Sequence, residues 1–326
     1  MKIGKLPNSL LEKIVIDPIN KHNAERKEVL LKPSVGEDCA ALELGDNICL
    51  LSTDPITGAV EDIGKLAVNI NTNDIASSGG EPVGIMVTAL LPPDINENEI
   101  SKIILDLYSE AEKVNVAILG GHTEITDAVK KPVLSCTVIG KTKKLIPSGG
   151  AKIGDSVIMT KYAAMEGTAI FANDKGDRLK NLDSSIIEKA KKLSDSLSVI
   201  KEGNIGARLG AHAMHDVTEG GILGACWEIA DCAGLGIEVY ADKIPVLEET
   251  TLICNELGIN PLRLISSGSM LIVCENDAEM INALESEGIK ATVIGKIVES
   301  DKTVINDCIS IPLEEPDTDE LYKENT

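Results

Sequence analysis

The spacing of apolar residues changes character several times along the chain. Through 61–78, Ile63, Ala67 and Ile70 recur at helical spacing, and Gly79-Gly80 follows as a stop. A helix is predicted there, with Asp74 on the same stripe as the three apolar residues. An amphipathic helix is predicted over 97–114, and another over 8–22, capped at Asn8 or Ser9 ahead of Leu10, Leu11, Ile14 and Val15. Short apolar runs at 48–52, 83–91, 116–119 and 133–139 predict strands. The first ends at Asp54, and the third runs into a turn at Gly120-Gly121.

Pro147-Ser148-Gly149-Gly150 reads as a linker. Beyond it the pattern predicts a strand at 156–160, a helix after Met165-Glu166-Gly167, and helices over 184–200 and 202–211. A strand at 213–217, a glycine-opened helix at 219–233 and strands near 236–240, 270–274 and 291–297 complete a second segment. The alternation is not regular enough for a doubly wound sheet, so an α+β fold is expected. Two domains, 1–147 and 151–312, would be followed by a frayed acidic tail at 313–326.

A carboxylate on a core stripe is costly unless something compensates it. Asp74 could mark the helix end at the margin of the core, or could hold a cation or phosphate-linked ligand with Asn71 beside it. Asp54, after an apolar strand and before Pro55, suits a turn or a site equally. Gly36 ahead of Glu37-Asp38 would let a ligand approach the backbone closely. The amides of Gly120, Gly121, His122 and Thr123 could form an anion nest.

In the second segment, Asp216-Val217-Thr218-Glu219-Gly220-Gly221 joins a strand to a helix start, a place suited to metal-phosphate binding or to simple capping by Thr218. That helix buries Ile222, Cys226, Ile229 and Ala233. Periodicity turns Glu228 toward solvent, although Gly221, Gly224 and Cys232 beside it would also admit another segment.

The 326 residues carry 31 Lys+Arg against 52 Asp+Glu, a net charge of −21, with aromatics at only 2%. That balance repels nucleic acid and anionic membranes and offers few platforms for stacking bases. No run is long and apolar enough to span a membrane, and the start has no apolar signal core. The eight cysteines, without a C-x-x-C pair, read as reduced core residues of a cytoplasmic protein. His212 and His215 straddle a helix end and a strand, which argues against a shared zinc site. There is no Walker A loop or Rossmann glycine pattern, so any ATP would be held through Mg²⁺ on carboxylates.

In their order and spacing, several strings resemble the superfamily of aminoimidazole ribonucleotide (AIR) synthetase, HypE, thiamine-monophosphate kinase and selenophosphate synthetase. They are Val35-Gly36-Glu37-Asp38-Cys39-Ala40, Ser52-Thr53-Asp54, Gly64-Lys65-Leu66-Ala67-Val68, Asn73-Asp74-Ile75-Ala76, Gly120-Gly121-His122-Thr123 and Asp216-Val217-Thr218-Glu219-Gly220-Gly221. The resemblance covers about residues 1–312. Glu166-Gly167-Thr168-Ala169-Ile170 and Ser266-Ser267-Gly268 look most like its HypE-related branch.

The resemblance implies a two-domain PurM-like fold, with the N-terminal domain pairing into a dimeric β-barrel and a C-terminal α/β sandwich domain. It implies an ATP- and Mg²⁺-dependent homodimer of ligase, dehydratase or kinase type, acting on a small molecule or with a maturation partner. Asp38, Asp54, Asp74 and Asp216 would ligate Mg²⁺. Gly36, Asn71, Gly120, Gly121 and Thr123 would line the nucleotide, with His122, Glu124 and Glu228 in catalytic positions. The chain departs from HypE in two places: Glu124 stands where HypE has a lysine, and the chain closes on Lys323-Glu324-Asn325-Thr326 rather than a cysteine, its last being Cys308. A non-catalytic nucleotide-binding partner and a thiamine-monophosphate-type kinase are the alternatives.

Overall fold

The computed structural model describes residues 5–22, 24–57, 61–307 and 309–323. Cys308 and the closing residues 324–326 therefore lie outside the described residues.

The first domain is a five-stranded sheet in the order β1 (Ala40–Leu44), β2 (Asn47–Ile56), β5 (Val133–Thr142), β3 (Glu81–Leu91), β4 (Ala117–Ile125). Pairing is antiparallel except between β3 and β4. The Ile63–Ser77 helix packs on β2 and β5 and against the Glu97–Lys113 helix. The latter starts in a capping box: the Asn96 side chain accepts from the Glu99 amide, and the Glu99 carboxylate accepts from the Asn96 amide at 2.8 Å. The Ile63–Ser77 helix is buried along almost its whole length, so its core stripe is really a full circumference. Polar Asn69, Asn71, Asn73 and Asp74 are therefore carried into the interior.

The second domain is a seven-stranded mixed sheet. Its order is β12 (Ile309–Pro312), β11 (Lys302–Asn306), β8 (Gly236–Tyr240), β10 (Ala291–Val298), β6 (Ser156–Thr160), β9 (Met270–Cys274), β7 (Ala213–Asp216). β11 and β12 were not predicted, nor were the Glu248–Leu257 and Asp277–Ser286 helices. The α+β expectation holds. The first sheet is open within this chain, so the barrel expected of a dimer is not formed by one copy.

Three expectations are corrected here. Gly120-Gly121 is not a turn: β4 continues through it to Ile125 beside β3, with a register shift between Ile85 and Met86. Gly121 lies so near β3 that a Cβ would stand 1.8 Å from the Val87 carbonyl oxygen, and its φ of +153° suits glycine. The glycines therefore serve a strand irregularity and a close backbone approach. Asp54 is not at a strand end either, since β2 runs on through Pro55 to Ile56.

The described part of the tail, 313–323, is docked rather than frayed. Leu313, Asp319, Glu320 and Leu321 are buried, and Asp319 Oδ2 accepts from the Gly220 amide at 2.7 Å. The domains are stitched by side chains of the Ile63–Ser77 helix. Asn73 donates to the Leu197 carbonyl and accepts from the Val199 amide, both at 2.9 Å, and Lys65 pairs with Asp195 at 2.9 Å.

Candidate active site

Where the two domains meet, acidic side chains from four segments converge. Asp38 follows the left-handed Gly36, Asp54 lies on β2, Asp74 on the buried helix, and Asp216 ends β7. Asp38, Asp54 and Asp74 line one cavity of about 480 Å³ with Gly36, Lys5, His215 and Glu228. Local bonds fix the acids in place. Ser77 Oγ donates to Asp38 Oδ2 at 2.9 Å, and Ser52 Oγ donates to Asp74 Oδ2. Asn71 Oδ1 accepts from the Asp54 amide at 2.9 Å, which pins the backbone of β2 at that acid. Asn71 thus positions an acid. A Cβ at Gly36 would meet Cys232 Sγ, so this glycine lets the Gly221–Cys232 helix approach.

His215 is the residue that sequence reasoning missed. It is buried between two acids of different elements: Nδ1 lies 2.9 Å from Asp38 Oδ2, and Nε2 lies 3.1 Å from Glu228 Oε2. Burial alone would lower its pKa, but Asp38 and Glu228 outweigh this and raise it well above the usual value. With an acceptor on each nitrogen, His215 is an imidazolium. The same pair explains Glu228, which faces inward: burial would raise its carboxyl, yet His215 and Lys5 hold it below the usual range. A signal was present in sequence, since His215-Asp216 are titratable neighbours in an otherwise apolar strand run. His212 is elsewhere, bonded to Asp155 at 2.8 Å, so the two histidines share no site.

Among the remaining acids, positive charge is short. Asp216 is 1% exposed, and neither of its carboxylate oxygens has a hydrogen-bond partner among the described residues. Burial and then Asp38 push its carboxyl up to about 8, with His215 resisting. Burial, Asp216, Asp54 and Asp38 likewise push Asp74 well above the usual range. Asp54 is exposed at the mouth of the cleft. Crowding by protein lifts its carboxyl and Lys5 opposes the lift, both effects damped by solvent. Lys5 is exposed overall but its Nζ reaches Thr218 Oγ1 at 3.3 Å. Burial disfavours its charge, while Glu228, Glu219, Asp54 and Asp38 hold it protonated.

Asp38, His215 and Asp216 each place a possible ligand atom within 4.8 Å of the others. Because both His215 nitrogens are committed to carboxylates, the oxygens of the aspartates are the part suited to a hard cation.

Gly120, Gly121, His122, Thr123 and Glu124 are not brought to this cluster. They lie on β4, every residue of which is exposed, and His122 Nε2 meets only Glu124 Oε2, at 3.3 Å, among the described residues. β4 also carries exposed Ile118, Leu119 and Ile125, next to exposed Val83 and Met86 on β3.

Residues 36–142 match the N-terminal domain of the AIR synthase related proteins, and residues 152–307 match their C-terminal domain. The chain belongs to the AIR synthase related family. Within that family it is 29% identical over 284 residues to a Methanocaldococcus jannaschii protein provisionally named for hydrogenase expression/formation, covering 84% of this chain and 83% of that one. It is 27% identical over 305 residues to the carbamoyl dehydratase HypE of Rhodobacter capsulatus, covering 90% and 86%. A crystal structure of the hydrogenase maturation protein HypE in complex with ATP superposes with a TM-score of 0.74 at 19% identity, covering 98% of each chain. This last likeness bears on the fold, and it agrees with the two-domain PurM-like α+β architecture.

Proposed function

We propose that this AIR synthase related protein is a Mg²⁺- and ATP-dependent enzyme that activates a small-molecule or protein-linked substrate by phosphoryl transfer. The observation that carries the reading is Asp216, whose two buried carboxylate oxygens have no hydrogen-bond partner among the described residues while Asp38, Asp54 and Asp74 crowd the same region. An uncompensated cluster of that kind is stabilised by a divalent cation, and all-oxygen ligands suit Mg²⁺. Asp38, Asp54, Asp74 and Asp216 would hold it. Bound Mg²⁺-ATP would supply the transferable phosphoryl group.

The chain's own residues supply positioning and electrostatics, which dominate phosphoryl-transfer catalysis. Asn71 sets the backbone at Asp54. His215 locks Asp38 and Glu228 in place and supplies a fixed positive charge beside them. Lys5 reaches into the cleft mouth, where its ammonium would offer positive charge to a bound phosphate.

The HypE solved with ATP supports the nucleotide, and the likeness to carbamoyl dehydratases supports a place in hydrogenase maturation with a partner protein. The exposed apolar edge of β4 supports pairing with a second copy to close the barrel. In that homodimer His122 and Glu124 would reach the reacting groups, and Gly120, Gly121 and Thr123 would line the nucleotide.

Calorimetry with Mg²⁺ and ATP, together with phosphate release, tests the reading. Asp54→Asn and Asp74→Asn should each abolish ATP turnover while leaving the circular dichroism spectrum unchanged. Normal turnover in both variants would sink it.

A further inference from the structure

Away from the acidic cleft, three titratable side chains stand in a row at the start of the second domain. Lys152 Nζ lies 3.1 Å from His212 Nε2, and His212 Nδ1 lies 2.8 Å from Asp155 Oδ2. None of the three lines the acidic cleft.

The backbone holds the row in place. Asp155 Oδ2 also accepts from the Lys152 amide at 2.8 Å, and the Asp155 amide donates to the Lys152 carbonyl at 3.0 Å. The Asp155 carbonyl accepts from the Ile297 amide at 2.9 Å, which ties this short loop to β10. His212 is fixed from the other side, because its amide donates to the Val273 carbonyl of β9 at 2.8 Å. A Cβ at Gly150 would stand 2.0 Å from the His212 carbonyl oxygen, so the segment joining the domains passes directly against this residue.

Exposure rises along the row. The Asp155 side chain is 4% exposed, that of His212 is 21% exposed, and Lys152 is open to solvent. A buried carboxylate at Nδ1 places the ring proton on that nitrogen. Nε2 then keeps its lone pair, and it faces an amine that a reagent can reach. Among the described residues Lys152 pairs with the ring and with no carboxylate. An orienting acid, a base and a nucleophile in that order activate a weak nucleophile, here an amine rather than a hydroxyl or thiol.

We propose that Lys152 is a modification site, acylated by an activated acyl group with His212 as the base and Asp155 as the positioning residue. Lys152 reacts from its neutral amine form, reached by loss of one proton to water. The amine nitrogen attacks the acyl carbonyl carbon and the N–C bond forms. The bond from that carbon to a phosphate oxygen or thioester sulfur breaks, and the leaving group departs with the electron pair. The surplus proton on nitrogen passes to His212 Nε2 and from there to solvent. Acylation removes the lysine charge beside the joint between the domains.

Acetyl phosphate and the thioester S-acetyl-N-acetylcysteamine are the probes, applied to the full chain and read by peptide mass spectrometry. Lys189, exposed on the Ser184–Lys191 helix, is the internal reference. With at least one reagent Lys152 should acetylate about tenfold faster than Lys189, and the reagent that does so names the donor class. His212→Gln keeps a polar partner but no base, and should bring Lys152 down to the Lys189 rate. Asp155→Asn should slow Lys152 severalfold and move the His212 tautomer balance in nitrogen NMR, a change that lost packing alone would not produce. A Lys152 rate no higher than that of Lys189 with both reagents, or one unchanged in His212→Gln, would overturn the proposal. If neither variant folds by thermal melting, the wild-type ratio decides.

Discussion

His215 Nδ1 lies 2.9 Å from Asp38 Oδ2, joining residues 177 positions apart in sequence and belonging to different domains. Through its other nitrogen the same ring holds Glu228, so one imidazolium balances two acids inside the protein. Removing it takes the bridging cation from two largely enclosed acids, leaving Asp38 with the Ser77 hydroxyl and Glu228 with the Lys5 charge. His215→Ala should therefore destabilise the protein by about 3–5 kcal/mol in urea denaturation. The raised pKa sets the pH window. The contribution is fully present below the unfolded-state value near 6.5, persists through neutrality, and is lost as pH rises through the higher folded-state value. Loss of stability in the variant of less than about 1 kcal/mol at pH 7 would show that the pair is not what holds the domains.

Asp216 predicts an opposite trade. Its folded-state pKa, about 8, lies above the usual value near 3.8, so its contribution to stability is fully present below the unfolded value and is lost as pH rises through the folded one. Without metal, Asp216→Asn at pH 8.5 should be as stable as the wild type, or up to about 2 kcal/mol more stable. Mg²⁺ should raise the melting temperature of the wild type and not of the variant. A variant that melts lower and still responds to Mg²⁺ would contradict this account of the site.

Burial lifts Glu166 from 4.5 to about 7, against the pull of its Ser267 contacts. A raised carboxyl contributes stability that is fully present below the unfolded pKa and is lost as pH rises through the folded one. Between pH 4.5 and 7 the wild type should lose about 3 kcal/mol from this group. Glu166→Gln should flatten that part of the profile, as read from denaturation midpoints at pH 5 and pH 8. An unchanged slope would mean that Glu166 ionises freely.

Asn73 ties the helix of the first domain to the Leu197 and Val199 backbone of the second. Asn73→Ala strands one carbonyl and one amide in a buried place, at a cost of about 2–4 kcal/mol. Hydrogen exchange should rise at Val199, ahead of the Ile200–Leu209 helix, before it rises in the second sheet. Exchange that rises uniformly would assign the loss to global stability alone.

The elements legible in sequence were those with local causes. The Glu97–Lys113 helix showed its amphipathic stripe, and the run at 133–139 showed its strand. The Ile63–Ser77 helix betrayed itself by carrying Asp74 among apolar residues. Four of the acids that converge were named from their motifs and from the family resemblance. Where a local signal and a neighbour disagreed, the neighbour won. Gly120-Gly121 has the composition of a turn, yet ladder bonds to β3 keep it extended. The acidic tail has the composition of a loose end, yet burial of Leu313 and Leu321 and the bond from Gly220 fasten it down.

The sequence by itself determined that this is a two-domain α+β chain whose acids sit beside apolar runs, because periodicity and turn chemistry are properties of neighbouring residues. It could not determine that His215 would stand between Asp38 and Glu228, or that Glu166 would be buried against the Ser267 amide. Those facts depend on which surfaces the folded domains bury against each other. Burial is what makes a charge or a hydroxyl there consequential.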